Sequence, residues 1–360
     1  MILRMIWERY FFREIIKVFL LFLFVFYFLY SIMDYSTHMQ DFIVDKQIQI
    51  SDIFLYYANQ FIKRADLLIP LALLIATIKV LSTLNANREL VALQASGVKL
   101  KKLLSPFFLV AFLCTCFNYF NGEYLLPRSL NYLDKFYYSH FKHLHKGKKR
   151  EPVHVQCLKD NSKLIYQSYD KDKKLFFDVI WLSSSEDIWR IKYLQADPEK
   201  PIGQYVDHLK RNSQGFFERE ESYNSLLFKQ IKWDRNMPRK GYVPFENRSI
   251  SELFRLLYHK KTASVYEAKE IMTRLCFKSV MPLLPFLVLI AITPFCIRYA
   301  RNLSIFFIYA FGLFGYISFF TLMDSAVILG ENNVFPPLWA ILTPFLGCAA
   351  GFGWKFAKTV

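Results

Sequence analysis

The chain has 360 residues, 54% of them hydrophobic and 18% aromatic, and its formal net charge is +16. The apolar residues collect toward both ends and thin out in the middle, which excludes a soluble chain with its core spread evenly along the sequence. The charge leaves three classes of partner, nucleic acid, a membrane surface or the positive loops of a membrane protein, and the positions of the charges decide among them.

The first apolar run, Ile15 to Met33, is longer than a secretory core and no small-x-small cleavage site follows it. It reads as a retained span that starts inside. A bilayer core takes about 20 apolar residues as helix. Five further runs meet that need: Asp66–Leu84, Leu103–Phe120, Cys276–Ile297, Leu303–Met323 and Phe335–Lys355. Helices are expected because lipid offers no partner to open backbone groups.

One set of span ends carries Arg4, Arg9, Arg13, Lys17, Arg88, Lys99, Lys101, Lys102, Arg298, Arg301, Lys355 and Lys358, against only Glu8, Glu14 and Glu89. The other short loops carry Asp34, Asp41, Asp45, Asp52, Asp324 and Glu331. Positive residues stay in the cytoplasm. Both termini are therefore placed inside and the polar middle, Asn121 to Arg274, outside. That accounts for most of the excess charge without nucleic acid.

Between the second and third spans lies "NRELVALQASGVKLKK", Asn87 to Lys102. Asn87 is expected to cap a short helix whose first turn holds Arg88 and Glu89, an acid that complements the positive helix end. Leu90, Val91 and Leu93 supply an apolar face, while Ala92 and Ala95 are small enough for close contact. Gly97 is placed as the left-handed stop. Lys99, Lys101 and Lys102 then meet the headgroups. Such a helix is too short to stand alone in water. Either the membrane surface holds it, or a soluble partner takes it in a groove. The chain contains no G-x-x-x-x-G-K-[ST], so any nucleotide hydrolysis belongs to another chain.

From Val153 the pattern turns strand-like: "VHVQCL", "KLIYQSY", "LFFDVIWL" and "DIWRIKYLQA" are short aromatic and β-branched runs separated by "KDNS", "DKDK" and "SSSED". Further strands are expected near Pro201–His208, Gly215–Glu218 and Leu226–Trp233. The spacing suggests an antiparallel sandwich or open barrel. Helix returns at "SISELFRLLYHK", capped by Ser249 or Ser251, and at Val265 to Arg274, feeding the fourth span. Of the six cysteines only Cys157 lies in this polar middle, so it has no internal disulfide partner or cysteine-based zinc site there. The run "HFKHLHKGKKR" holds His140, His143 and His145 and reads as a solvated basic connector rather than a metal site. No G-x-S-x-G, H-E-x-x-H or paired-carboxylate signature is present, and no catalytic residue, metal or cofactor is expected. Pro282, Pro285 and Pro294 fall in the fourth span, where neighbours can absorb a kink. Gly347 and Gly351 make a G-x-x-x-G in the last.

The stretch "NRELVALQASGV" resembles the coupling-helix motif of the LptF/LptG family of lipopolysaccharide export permeases. "NGEYLLP" resembles that family's exit from the third span, "EIMTRLCFKSVMPLLPFLVLIAITPF" its entry into the fourth and "VFPPLWAILTPF" its sixth. The resemblance implies a membrane α-helical fold of six transmembrane helices, three plus three, with an inserted periplasmic antiparallel β domain that is jellyroll-like, over Val153–Trp233. It divides the chain into spans at 1–122 and 271–360 around a periplasmic part at 123–270, in a multi-pass protein of the bacterial inner membrane.

The function it implies is that of a non-catalytic permease subunit. It would pair with a homologous subunit on a cytoplasmic ABC ATPase dimer, extract lipopolysaccharide and pass it to periplasmic bridge proteins. Arg88, Glu89, Ala92, Ala95 and Gly97 would dock in the ATPase. The first and fifth spans would form a lateral gate, with Phe26, Tyr30, Tyr316 and Phe320 as its candidate side chains. Lys63, Arg64, Arg128 and Lys135 lie at the level of the substrate phosphates. The tail "MDSAVILGENNVFPPLWAILTP" leans toward the LptG type. An alternative stays open, a structural or receptor membrane protein whose external β domain binds a ligand or protein. A lipid-modifying enzyme would need acidic or histidine clusters at the membrane face, and none is convincing.

Overall fold

The computed structural model describes residues 5–44, 49–136, 154–158, 162–170, 175–184, 187–195, 201–212, 216–228, 231, 245–259, 265–297, 305–332 and 334–359. Its contacts divide the chain into two compact units. A helical unit comprises Met1–Leu144, Phe245–Lys261 and Val265–Val360, and a sheet unit comprises His145–Pro244 with Thr262–Ser264. The histidine-rich connector, residues 140–150, lies outside the described residues.

The helical unit opens with two long helices, α1 (Ile6–Val44) and α2 (Ile50–Ala86). At 39 and 37 residues they outrun the apolar segments that seed them. At ~1.5 Å rise per residue each extends well past a ~30 Å hydrocarbon core. Two short helices follow, α3 (Glu89–Ala95) and α4 (Leu100–Leu103). The third apolar run forms α5 (Ser105–Phe120), which passes without a break through a π-helical turn at Asn121–Leu125 into α6 (Leu126–Phe136).

The second half begins with α7 (Ile250–His259). Ser249 caps it, its Oγ accepting from the Glu252 N–H at 3.2 Å, whereas Ser251 sits in the first turn and gives its N–H to Glu123. Then come α8 (Val265–Val280), a 3₁₀ turn at Met281–Leu283, and α9 (Leu284–Ile297). Proline removes an amide donor and crowds the preceding turn, so Pro282 and Pro285 break the fourth apolar run here. The Tyr119 hydroxyl of α5 donates to the Ser279 carbonyl one turn before Pro282, at 2.6 Å. The unit closes with α10 (Ile305–Glu331) and α11 (Pro337–Thr359).

Among the described residues five helical segments are long and apolar enough to cross a membrane: Ile6–Met39, Ile50–Ala86, Ala268–Ile297, Ile305–Glu331 and Pro337–Thr359. The α2 segment is the central stave. It packs against α1, α5, α6, α9 and α10, and Ala65, Ala72, Leu73, Ala76, Ile78 and Leu81 on it are fully buried. Its small residues let neighbouring backbones come close, the usual means of helix packing in lipid.

Among its described residues the sheet unit holds six strands: β1 (His154–Cys157), β2 (Lys163–Asp170), β3 (Leu175–Leu182), β4 (Asp187–Gln195), β5 (Ile202–Arg211) and β6 (Phe217–Leu227). They pair antiparallel in the order of the sequence, a meander. Among the described residues there is no second sheet and none of the crossing connections that define a jellyroll.

One face of the sheet carries the core. Tyr166 stands opposite Val179, Val179 opposite Ile191, and Ile191 opposite Val206, so a single buried row crosses four strands. A second row pairs Leu164 with Trp181, whose indole N–H donates to Ser162 at 2.9 Å. Phe228 folds over this face so closely that a Cβ on Gly203 would lie 2.6 Å from its ring. The sequence suggested two short strands at 215–218 and 226–233, but β6 is one long strand. "FEREESYNSLL" lacks the alternation of a half-buried strand because it is exposed on nearly every residue. Its pairing with β5, not a buried face, makes it a strand.

Candidate functional site

The short helix α3 starts one residue later than its sequence suggested. Asn87 does not cap it. It ends α2, its N–H on the Thr83 carbonyl at 2.9 Å. Arg88 is the residue before the helix and takes a left-handed conformation, φ 59° and ψ 16°, with no side-chain cap. The reversal is so tight that the N-cap position must turn left-handed. The Asn87 amide still serves the site by donating to the Glu89 carboxylate at 3.1 Å.

The C-terminal end is as expected. Gly97 has φ +89°. Its N–H bonds to the Gln94 carbonyl at 2.9 Å and the Val98 N–H to the Leu93 carbonyl at 3.2 Å, the paired bonds of a Schellman stop.

A seven-residue helix needs an outside anchor, and Leu90 provides it. That side chain is 4% exposed within the core of the helical unit, and Leu93 and Val98 pack beside it half-buried. Val91, expected on the same face, points the other way and is 54% exposed. It shares the open side of α3 with Arg88, Ala92, Ala95 and Gly97. Position 91 falls three residues after Arg88 and four before Ala95, the spacing of one helix face. The result is a pinned helix showing a small-residue face to solvent, rimmed by Arg88 and by half-buried Glu89.

The gate and phosphate candidates fall into three groups. Tyr30 of α1 and Arg64 of α2 meet: the Arg64 Nε donates to the Tyr30 hydroxyl at 3.3 Å, and its guanidinium lies 5.5 Å from that ring's centroid. Gln60 donates to the same hydroxyl at 2.8 Å. Tyr316 of α10 reaches the next turn of α2, its hydroxyl donating to the Leu67 carbonyl at 2.7 Å beside the backbone that Pro70 disrupts. Residues 60–67 of α2 therefore collect an α1 tyrosine, an α10 tyrosine and an arginine.

Phe26 and Phe320 make a second group. Both are half-buried and packed on the helical core, Phe26 with its ring 5.9 Å from Phe22. Phe24 and Phe28 of α1, stacked at 6.0 Å, face outward instead. Lys63 and Arg128 form the third, exposed on α2 and α6 with no ion pair to either among the described residues. Lys135 is on α6, with its side chain outside the described residues. Asp34, late in α1, has a histidine one turn on: His38 Nδ1 is 3.8 Å from its Oδ1.

Two features carry no sequence motif. Asn85, just ahead of α3, donates from its side-chain amide to the Cys296 carbonyl at 3.2 Å and the Ile297 carbonyl at 3.4 Å. It thereby ties the end of α2 that leads into α3 to the last turn of α9. At the far end of α10, Glu331 forms an ion pair with Arg274 of α8, while Gly330 lies so close to Thr273 that a Cβ would meet its side chain at 2.8 Å. A polar residue within a turn of a span end was the available signal for both, and it marks many residues that do nothing of the kind.

No cluster of three or more metal-ligating side chains occurs among the described residues. A family model described as Lipopolysaccharide export system permease LptF/LptG matches residues 9–358. No curated protein matches the chain.

Proposed function

Because the chain belongs to the LptF/LptG family of lipopolysaccharide export permeases, we propose that it is the membrane subunit of a lipopolysaccharide exporter driven by a separate cytoplasmic ABC ATPase dimer. It spans the inner membrane six times with both termini in the cytoplasm. Residues 123–270 lie on the periplasmic side, where the sheet unit receives lipid and passes it to bridge proteins. A homologous subunit completes the transporter, and the tail "MDSAVILGENNVFPPLWAILTP" leans this chain toward the LptG type.

The observation that carries this reading is the exposed face of α3. Leu90 anchors the helix in the core and Gly97 stops it, and the outward side offers Val91, Ala92 and Ala95 between charged residues. Small residues on an immobilised helix suit close insertion into a groove, with Arg88 and Glu89 setting its orientation. A push on α3 reaches α2 directly and α9 through Asn85, so the ATPase stroke moves the core stave.

On that stave Tyr30 and Tyr316 hold the two gate helices by hydroxyl contacts, which break at less cost than a packed core. Arg64, with Lys63, Arg128 and Lys135, takes the substrate phosphates; among the described residues no carboxylate forms an ion pair with the Arg64 guanidinium. Phe26 and Phe320 line the acyl side of the gate. The test is Glu89→Lys in the assembled exporter. The variant chain inserts and folds normally, but the ATPase no longer co-purifies with it and lipopolysaccharide export stops. Normal co-purification and export would remove the coupling role from α3.

A further inference from the structure

A cavity of about 650 Å³ opens on the side of the helical unit, between α9, α10 and α11, with Leu74 of α2 at its back. Its walls are almost wholly apolar, Val288, Phe311, Gly315 and Phe352 among them. Of its polar residues, Tyr316 has its hydroxyl already committed to the Leu67 carbonyl. A cavity so lined does not hold ordered water, which needs two to four polar partners; its occupant must be hydrocarbon. Along α10 it runs from Ile308 to Leu322, ~21 Å at the helical rise, a little more than one leaflet's ~15 Å share of the bilayer core. Gly315 forms part of the wall, and a Cβ there would meet nothing within 4 Å.

The charge at its mouth says which lipid. Phe295 and Phe352 line the end of the cavity nearest the last turns of α9 and α11. Lys355 places its ammonium 3.6 Å from the centroid of the Phe295 ring, and among the described residues no carboxylate pairs with it. One face of that ammonium is on the ring; its remaining N–H donors are open. Trp354 beside it is 71% exposed, with Lys358 5.3 Å from its ring. Tryptophan and lysine at a span end mark the headgroup level, and basic pockets between spans at that level take anionic headgroups.

We infer that this cavity is a phospholipid site on the flank of the gate helix α10: one acyl chain fills the groove between α9, α10 and α11, and the anionic headgroup phosphate pairs with Lys355. The inference does not depend on the coupling role of α3. Its test uses the purified full-length chain in its assembled complex, stripped of lipid, reloaded with phosphatidylglycerol or phosphatidylcholine, and weighed by native mass spectrometry. The wild type retains phosphatidylglycerol in preference to phosphatidylcholine. Gly315→Leu, which projects into the groove, loses both lipids. Lys355→Glu, which leaves the groove open, weakens phosphatidylglycerol retention by at least roughly fivefold, from about 1 kcal/mol per surface charge, and spares phosphatidylcholine. Equal retention of the two lipids by the wild type would overturn the inference, as would unchanged retention in both variants. So would a photocrosslinker at Phe311 that captures a protein helix instead of lipid.

Discussion

The second and fifth apolar helices, α2 and α10, read almost alike as sequence and differ sharply in the folded chain. Their most apolar windows have mean hydropathies of 2.2 and 1.9, yet 78% of the α2 window is buried inside the protein against 17% of the α10 window. Apolarity places both in lipid, where one apolar neighbour is as good as another and hydrophobicity gives no reason to prefer protein. What sorts them is size and polarity. The α2 helix turns Ala65, Ala72, Ala76, Thr77 and Ser82 inward, the small and hydroxyl-bearing residues that let helices close up. The α10 helix turns Phe306, Phe307, Phe311 and Phe314 outward and packs on the rest of the protein along a narrow face, with Ile308, Met323 and Val327 buried, Gly312 against Ile78, Tyr316 on Leu67, and the Gly330–Glu331 corner on Thr273 and Arg274. A buried stave and an outward-facing panel are built from similar hydropathy.

Substitutions along the two helices test that contrast. The largest effect belongs to the stave: Leu73→Ala, at a fully buried position on α2, should cost about 2–5 kcal/mol, read as lost resistance to denaturant in detergent. A cost under ~1 kcal/mol would mean that α2 is not the packed centre. The corner of α10 comes next. A double-mutant cycle on Arg274→Ala and Glu331→Ala should give a coupling of about 0.5–3 kcal/mol, and additivity would show that the pair does not fasten α10 to α8. Tyr316→Phe removes one hydroxyl donor and keeps the ring, so a loss near ~1 kcal/mol is expected. The same variant should increase crosslinking from α10 to detergent or lipid, whereas a purely local role would leave crosslinking unchanged. Smallest is Phe314→Ala, at a side chain 72% exposed on α10. It should move stability by no more than ~0.5 kcal/mol, and a larger loss would reveal a hidden partner for that face.

Legibility followed the physics of each element. Five of the six apolar runs were readable as helices long and apolar enough to cross a membrane, because lipid demands such a helix wherever the backbone crosses. Gly97 was readable because a left-handed stop favours one residue type. The cap was not: Asn87 has the right side chain, but the chain reverses so sharply after α2 that Arg88 takes the position before α3. Val91 was misplaced because, over seven residues, Leu90, Val91 and Leu93 are compatible with more than one inward face. Strand β6 escaped because alternation reports a buried face, and an edge strand exposed on both sides has none. The gate candidates were individually visible as aromatics near span ends. The meeting of two of them, Tyr30 and Tyr316, on residues 60–67 of α2 was not, since they lie far apart in the chain.

Hydropathy, charge asymmetry and backbone restrictions act locally, so the order of residues alone marks this chain as a polytopic membrane protein with a β insertion and a short, glycine-stopped helix between its second and third apolar runs. Tertiary structure alone decided which apolar helix is stave and which is panel, which side of α3 is left open, and that Lys355 stands at the mouth of a hydrocarbon-shaped groove. Those outcomes depend on shape matching between segments far apart in the chain, and inside a bilayer no difference in hydrophobicity exists to announce them beforehand.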